Sequence, residues 1–306
     1  MNKVRQWLGR LGVHGVLWRN YHDWAVANVP FFLLPLLLCF MTVFFFFFAG
    51  SFRRAMVANL SVVFPDSPRA VIYLRALRSF YNYAWTIADG TAYKLKKQAF
   101  TYELVGAQFL DQLGHGQGAI VLTAHMGNYD LGAALFARRY NREIRMVRAP
   151  EPDEQSARHL SASLEKSGEG AVRVAYNVEG AQLSFELLDA LKQGKIVSIQ
   201  GDRAPENVTQ TNGQLFGKTF SLPHGPFILA LVGGVPIFPL FIVRSRYREY
   251  RIIVRNPIKL SRSGLSREDE IAPAVSAWCS VLEEMIRSYS SQWSAFTPVF
   301  RTNAKL

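Results

Sequence analysis

Residues 29–50 read VPFFLLPLLLCFMTVFFFFFAG, a stretch of 22 positions without one charged side chain. At about 1.5 Å per residue a continuous helix of this length reaches roughly 33 Å, enough for the hydrocarbon core of a bilayer. A membrane-inserted N-terminal segment is therefore the expectation. A cleaved signal peptide fits poorly, because the run starts late, is long, and is not followed by a small-residue cleavage pattern. Pro30 and Pro35 allow a second arrangement, a bent or half-inserted helix that enters and leaves on one side. Lys3, Arg5, Arg10 and Arg19 precede the run while Arg53 and Arg54 follow it, so the basic residues give no clear orientation. Ahead of the run, VRQWLGRLGVHGVLWRNYHDW mixes Trp7, Trp18 and Trp24 with arginines, as interfacial helices do.

The rest of the 306 residues suits one large domain, which puts an anchor at 1–51 and a catalytic domain at 52–306. Lys and Arg total 35 against 23 acidic residues, giving a formal charge of +12. Such a balance attracts nucleic acid, anionic lipid surfaces or acidic carrier proteins. A hydrophobic content of 49% and 22 phenylalanines weigh against a soluble nucleic-acid reader and for contact with lipid. The two cysteines, Cys39 and Cys279, suggest neither a disulfide framework nor a metal site, and a reducing cytoplasmic setting fits them. There is no C-x-x-C pair, metal-ligand cluster or glycine-rich nucleotide loop, so no metal and no redox cofactor are expected.

From residue 52 to about 98 the spacing is helical, interrupted at Pro65 and Pro68. From residue 118 short apolar runs (GAIVLTAH, EIRMVRA, AVRVAY, KIVSIQG, PIFPLFIVR) alternate with helix-like stretches, which implies an α/β fold with a mostly parallel sheet flanked by helices. PIFPLFIVR and REYRIIVR read as an antiparallel hairpin added to that sheet, and a last helix runs near 272–288. Arg244, Arg246 and Arg248 alternate, so they are expected on one face as a solvated edge or a contact for anionic partners.

GAIVLTAH ends in His125 and continues HMGNYD into a helix, so His125 sits at the carboxyl end of a strand, where open α/β sheets build their sites. Gly127 permits the tight turn, and Asp130 falls in the first turn of the helix. In this reading Asp130 orients the imidazole while the other ring nitrogen takes a proton from a hydroxyl. The spacing alone also admits a hydrogen-bonded structural histidine. Asn128 either positions the acceptor hydroxyl or simply occupies a turn. Arg148, at a strand end, either binds a phosphate or sits in a structural ion pair.

HMGNYD after an apolar strand resembles the H-x-x-x-x-D/E motif of the lysophospholipid acyltransferase superfamily. The closer resemblance is to the branch of the lauroyl and myristoyl acyltransferases of lipid A biosynthesis and the mycobacterial mannoside acyltransferases. RRAMVANLSVVFPDSP carries Arg54, Asn59, Leu60, Phe64 and Pro65 in that branch's order, and Val147-Arg148, LKQGKIVSIQGDRA, QLFGKTFSLPHGPFILALVGGVPIFPLFIVR and SSQW follow it. The likeness covers roughly residues 50–295. Two positions depart from it: Asp130 stands where the lipid A enzymes usually carry Glu, and Asp202-Arg203 replaces their Asp-Gln.

The resemblance implies a membrane-bound O-acyltransferase of the cytoplasmic face of the bacterial inner membrane. It implies transfer of a fatty acyl group from acyl carrier protein or coenzyme A thioester to a hydroxyl of a lipid or glycolipid, with His125 as base and Asp130 as its partner. Asn128, Arg148, Asp202, Arg203 and Lys218 become candidates for substrate binding. Arg203 can hold the thioester oxyanion or an acceptor phosphate, Asp202 can anchor Arg148 or Arg203, and Lys218 belongs with Phe216 and Gly217 to a loop beside the acyl groove. A thioester hydrolase using the same pair and a non-catalytic lipid- or carrier-binding protein are the competing expectations.

Overall fold

The computed structural model describes residues 16–96, 98–150, 171–177, 182–205 and 208–300. Among the described residues four helices come first: α1 (Val16–Asn28), α2 (Leu34–Phe48), α3 (Gly50–Val63) and α4 (Arg69–Lys96). Then follow β1 (Thr101–Val105), α5 (Ala107–His115), β2 (Ala119–Thr123), α6 (Tyr129–Tyr140), β3 (Ile144–Arg148), β4 (Val172–Tyr176), α7 (Gln182–Lys192) and β5 (Ile196–Gln200). The chain continues through β6 (Gln210–Leu215), β7 (Lys218–Pro223), α8 (Gly225–Gly233), β8 (Ile237–Arg246), β9 (Glu249–Val254) and α9 (Arg267–Tyr289), and ends in a single 3-10 turn (Ser290–Gln292).

Seven strands form one sheet in the order β1-β9-β8-β2-β5-β3-β4. The five from β8 to β4 run parallel, β9 returns antiparallel to β8, and β1 lies parallel to β9. This is the expected α/β architecture, with the expected hairpin at β8 and β9. Every residue of β2 is buried, because helices cover both faces. Ile120 and Leu122 point into a core shared with α7, α8 and α9, whereas Ala119 and Val121 point into a second core shared with α5 and α6. Strand β1 and the separate antiparallel ribbon of β6 and β7 were not read from the sequence.

The N-terminal segment departs from a continuous 22-residue span. Helix α2 has 15 residues, with Pro35 in its first turn, so its length is about 22 Å. Ala49, at φ −90° and ψ 59°, breaks the helix, and α3 leaves at 91° to α2. Among the described residues no single helix is long and apolar enough to cross a bilayer; only the bent pair of α2 and α3 together has the required length and composition. Arg53 secures the bend by donating from Nη1 to the carbonyls of Phe46 (2.7 Å) and Phe47 (3.2 Å) at the end of α2. Leu34 and Leu38 pack on Trp85 and Ala88 of α4, and Phe46 packs on Phe80. The opposite side of α2 is bare, with Leu36, Phe40, Val43, Phe47 and Phe48 exposed. Trp7 and the first part of the expected interfacial helix lie outside the described residues.

The basic stripe on β8 is also not what alternation suggests. A bulge between Arg244 and Arg246 breaks the register, and Arg248 lies in the turn at φ 59°. Arg244 turns inward, donating to Asn82 Oδ1 at 2.9 Å with its guanidinium 5.0 Å from the Trp85 ring centre.

Candidate active site

The site forms where β2 and β5, adjacent and parallel, end together. Thr123 is in register with Gln200, so two residues further along each chain His125 meets Asp202. Their meeting is close: Asp202 Oδ1 lies 2.7 Å from His125 Nδ1 and also accepts from the His125 backbone N–H at 3.1 Å. The Asp202 side chain is fully buried, while that of His125 is 24% exposed. With the carboxylate on Nδ1, the Nδ1 proton is held there and the Nε2 lone pair faces outward. Nε2 has no hydrogen-bond partner among the described residues.

Burial opposes ionisation of Asp202, but the His125 ring, the Arg203 charge and the Trp293 N–H outweigh it and hold the carboxyl well below its usual range. The Trp293 contact is a 2.9 Å bond from Nε1 to Asp202 Oδ2.

The turn after His125 is built to aim it. Gly127 has φ +57°, and a Cβ there would sit 1.7 Å from the Ile242 carbonyl oxygen, so the position requires glycine. Asn128 caps α6, its Oδ1 accepting from Leu131 N at 3.2 Å, and its Nδ2 donates to the Thr86 carbonyl of α4. Asn128 is 4% exposed, and its side chain also reaches the Tyr250 phenol of β9.

Asp130 lies in the first turn of α6 as expected, but its described partner is Arg148, 2.7 Å from Nη1 to Oδ1, and not His125. The geometry thus separates two pairs, His125 with Asp202 and Arg148 with Asp130, and Tyr129 stands between them. Its ring meets His125 edge-on at 6.1 Å between centres, and the Arg148 guanidinium lies 5.8 Å from its centre. Burial and the Asp130 charge push the Tyr129 phenol far above its usual range, so it stays protonated and able to donate.

Arg203 is near this group, donating to the Ser294 carbonyl at 3.1 Å. Lys218 is not brought to it. Phe216 and Gly217 form the tip of the β6–β7 ribbon, both at positive φ, and Lys218 follows them exposed. That tip is fixed to α9, with the Phe216 N–H donating to Glu283 at 2.7 Å and Arg287 stacked on the Phe216 ring.

The chain's C-terminal stretch, visible in the sequence only as a similar tail, closes the site. The Gln292 carbonyl accepts from Gly127 N at 3.0 Å, and Ser294 N donates to the His125 carbonyl at 2.7 Å. Asn59, from the RRAMVANL segment, holds the same stretch through the carbonyls of Ala295 and Thr297 and the Val299 N–H.

No curated protein matches the chain. A family model described as bacterial lipid A biosynthesis acyltransferase matches residues 13–302, a span that takes in the helices, the sheet and the tail around His125, and the chain belongs to that family.

Proposed function

We propose that the protein transfers a fatty acyl group from a thioester, of acyl carrier protein or coenzyme A, to a hydroxyl of a lipid or glycolipid, with His125 as general base and Asp202 as its orienting carboxylate. The observation that carries this reading is the His125–Asp202 pair at the carboxyl end of the sheet, with Nε2 open and Nδ1 held. The acceptor oxygen attacks the thioester carbonyl carbon as its proton passes to Nε2. The C–S bond then breaks, and the imidazolium returns the proton to the departing thiolate. No serine or cysteine nucleophile is required.

Charge develops on the carbonyl oxygen during attack. The protonated Tyr129 phenol and the Arg203 guanidinium, both beside the His125–Asp202 pair, are the donors assigned to meet it. Asp130 acts through Arg148, fixing a guanidinium that suits a phosphate of the donor or acceptor. The protein requires no metal or redox cofactor for this chemistry.

The same reading places the protein on the cytoplasmic face of a bacterial inner membrane. The support is the bare side of α2, where Leu36, Phe40, Val43, Phe47 and Phe48 present large apolar side chains to solvent. With the 91° break at Ala49, α2 suits a position within the interface, with its exposed side in lipid.

The test is thiol release from acyl thioester by detergent-solubilised protein, with and without a bacterial glycolipid extract. Transfer requires the extract and leaves a new ester on a lipid; release at the same rate without it would assign the site to hydrolysis.

A further inference from the structure

Trp293 comes from the far end of the chain and is fully buried against the catalytic pair. Its indole N–H donates to Asp202 Oδ2 at 2.9 Å, while Oδ1 is taken up by His125. A carboxylate has only acceptors to offer, and Asp202 has no exposed surface through which water can serve it. Among the described residues, Trp293 is the donor to Oδ2.

The donor is itself fixed. Its neighbours bond the turn and the site arginine: Gln292 O to Gly127 N, Ser294 N to His125 O, and Ser294 O to Arg203. The Gln292 side chain bonds both the N–H and the carbonyl of Arg244 on β8. An indole N–H has one direction in the ring plane, so a ring clamped on both sides delivers it to one place.

We infer that Trp293 is a positioning residue for the reaction, holding the Asp202 carboxylate in the orientation that fixes the His125 tautomer. Its absence leaves Oδ2 unpartnered in a dry site. The carboxylate then turns more freely and draws more strongly on the imidazole proton, which makes imidazolium harder to discharge. The kinetic consequence rests on the acyl-transfer reading; the consequence for His125 titration does not.

The experiment is Trp293→3-benzothienylalanine by site-specific incorporation, with Trp293→Phe alongside. The first keeps the ring's shape and replaces the N–H by sulfur, so it removes the hydrogen bond without the cavity that phenylalanine opens. His125 is followed by NMR of ring-labelled histidine, assigned with His125→Gln, and kcat and KM are measured for donor and acceptor. The expected result is a His125 titration midpoint raised by about half a pH unit or more, with kcat lowered about tenfold and both KM values within twofold of wild type. An unmoved midpoint, with or without loss of kcat, makes Trp293 a packing residue and overturns the inference. Absence of acyl transfer by the wild-type protein, with the midpoint still shifted in the variant, would instead sink the functional reading and leave the role of Trp293 intact.

Discussion

Replacing Asp202 by asparagine preserves shape and removes charge at the most enclosed point of the site. The wild-type carboxylate accepts three bonds, from His125 N, His125 Nδ1 and Trp293 Nε1. An amide can accept on one side only. If its oxygen faces His125, its NH₂ group opposes the Trp293 N–H; if it turns, the NH₂ group donates to Nδ1 and forces the proton onto Nε2, where the base must be empty. Hydrogen bonds to charged groups are worth about 1.5–3 kcal/mol each, and a buried donor left unpaired costs about 1–3 kcal/mol, so Asp202→Asn should lose roughly 2–4 kcal/mol of stability. The wrong tautomer should lower kcat by about 10⁴, close to 5 kcal/mol of transition-state stabilisation. The assay is acceptor-dependent thiol release on protein shown to be folded by thermal melting. Retention of a tenth of wild-type kcat by folded Asp202→Asn would refute the assignment of Asp202 as orienter.

Further outcomes follow from the same geometry. Asp130→Asn, which alters the Arg148 contact and not the imidazole, should lose about tenfold in rate, far less than Asp202→Asn; equal losses would return the orienting role to Asp130. Ionised Asp202 has a folded value below the 3.8 of an ordinary aspartate, so its contribution to stability is complete above that pH and is lost as pH falls below it. Acid titration of stability should therefore be flatter in Asp202→Asn, and an identical acid limb would contradict this. Asn59→Ala removes three hydrogen bonds to the tail, two of them buried, and should cost about 2–4 kcal/mol, with earlier proteolytic cleavage after residue 290; unchanged melting and cleavage would refute it. Phe40→Asp with Phe47→Asp, both at exposed positions of α2, should leave melting unchanged but abolish flotation with anionic liposomes, and undiminished flotation would move the lipid contact elsewhere.

Much of this site was legible because it is local in sequence. The strand GAIVLTAH, the glycine turn and the helix starting at Tyr129 lie within about twenty residues, so the place of His125 followed from periodicity and turn chemistry. The partner of His125 was not legible, because it depends on which strands are neighbours. Asp130 is five residues away in sequence, yet the register of β2 with β5 delivers Asp202 from 77 residues away. A usable signal was present: within LKQGKIVSIQGD the strand ends two residues before Asp202, as within GAIVLTAH the strand ends two residues before His125. Arg244 was misread for a related reason, since it continues the face of Leu240 and Ile242 and meets Asn82 and Trp85 of α4, a helix distant in sequence, while the bulge that follows it takes Arg246 out of register. The break at Ala49 was equally silent, because no proline marks that end and Arg53 secures it from the following helix. Trp293 was visible only as part of a similar tail; its contact with Asp202 spans 91 residues.

In the proposed reaction His125 removes a proton from a lipid hydroxyl as that hydroxyl takes the acyl group. Mass spectrometry of the glycolipid extract after incubation with isotope-labelled acyl thioester tests this step, comparing wild type with folded His125→Gln. The expected result is a labelled ester on one lipid class with wild type and at least about 10²-fold less with His125→Gln. Comparable labelling by the two proteins would contradict it.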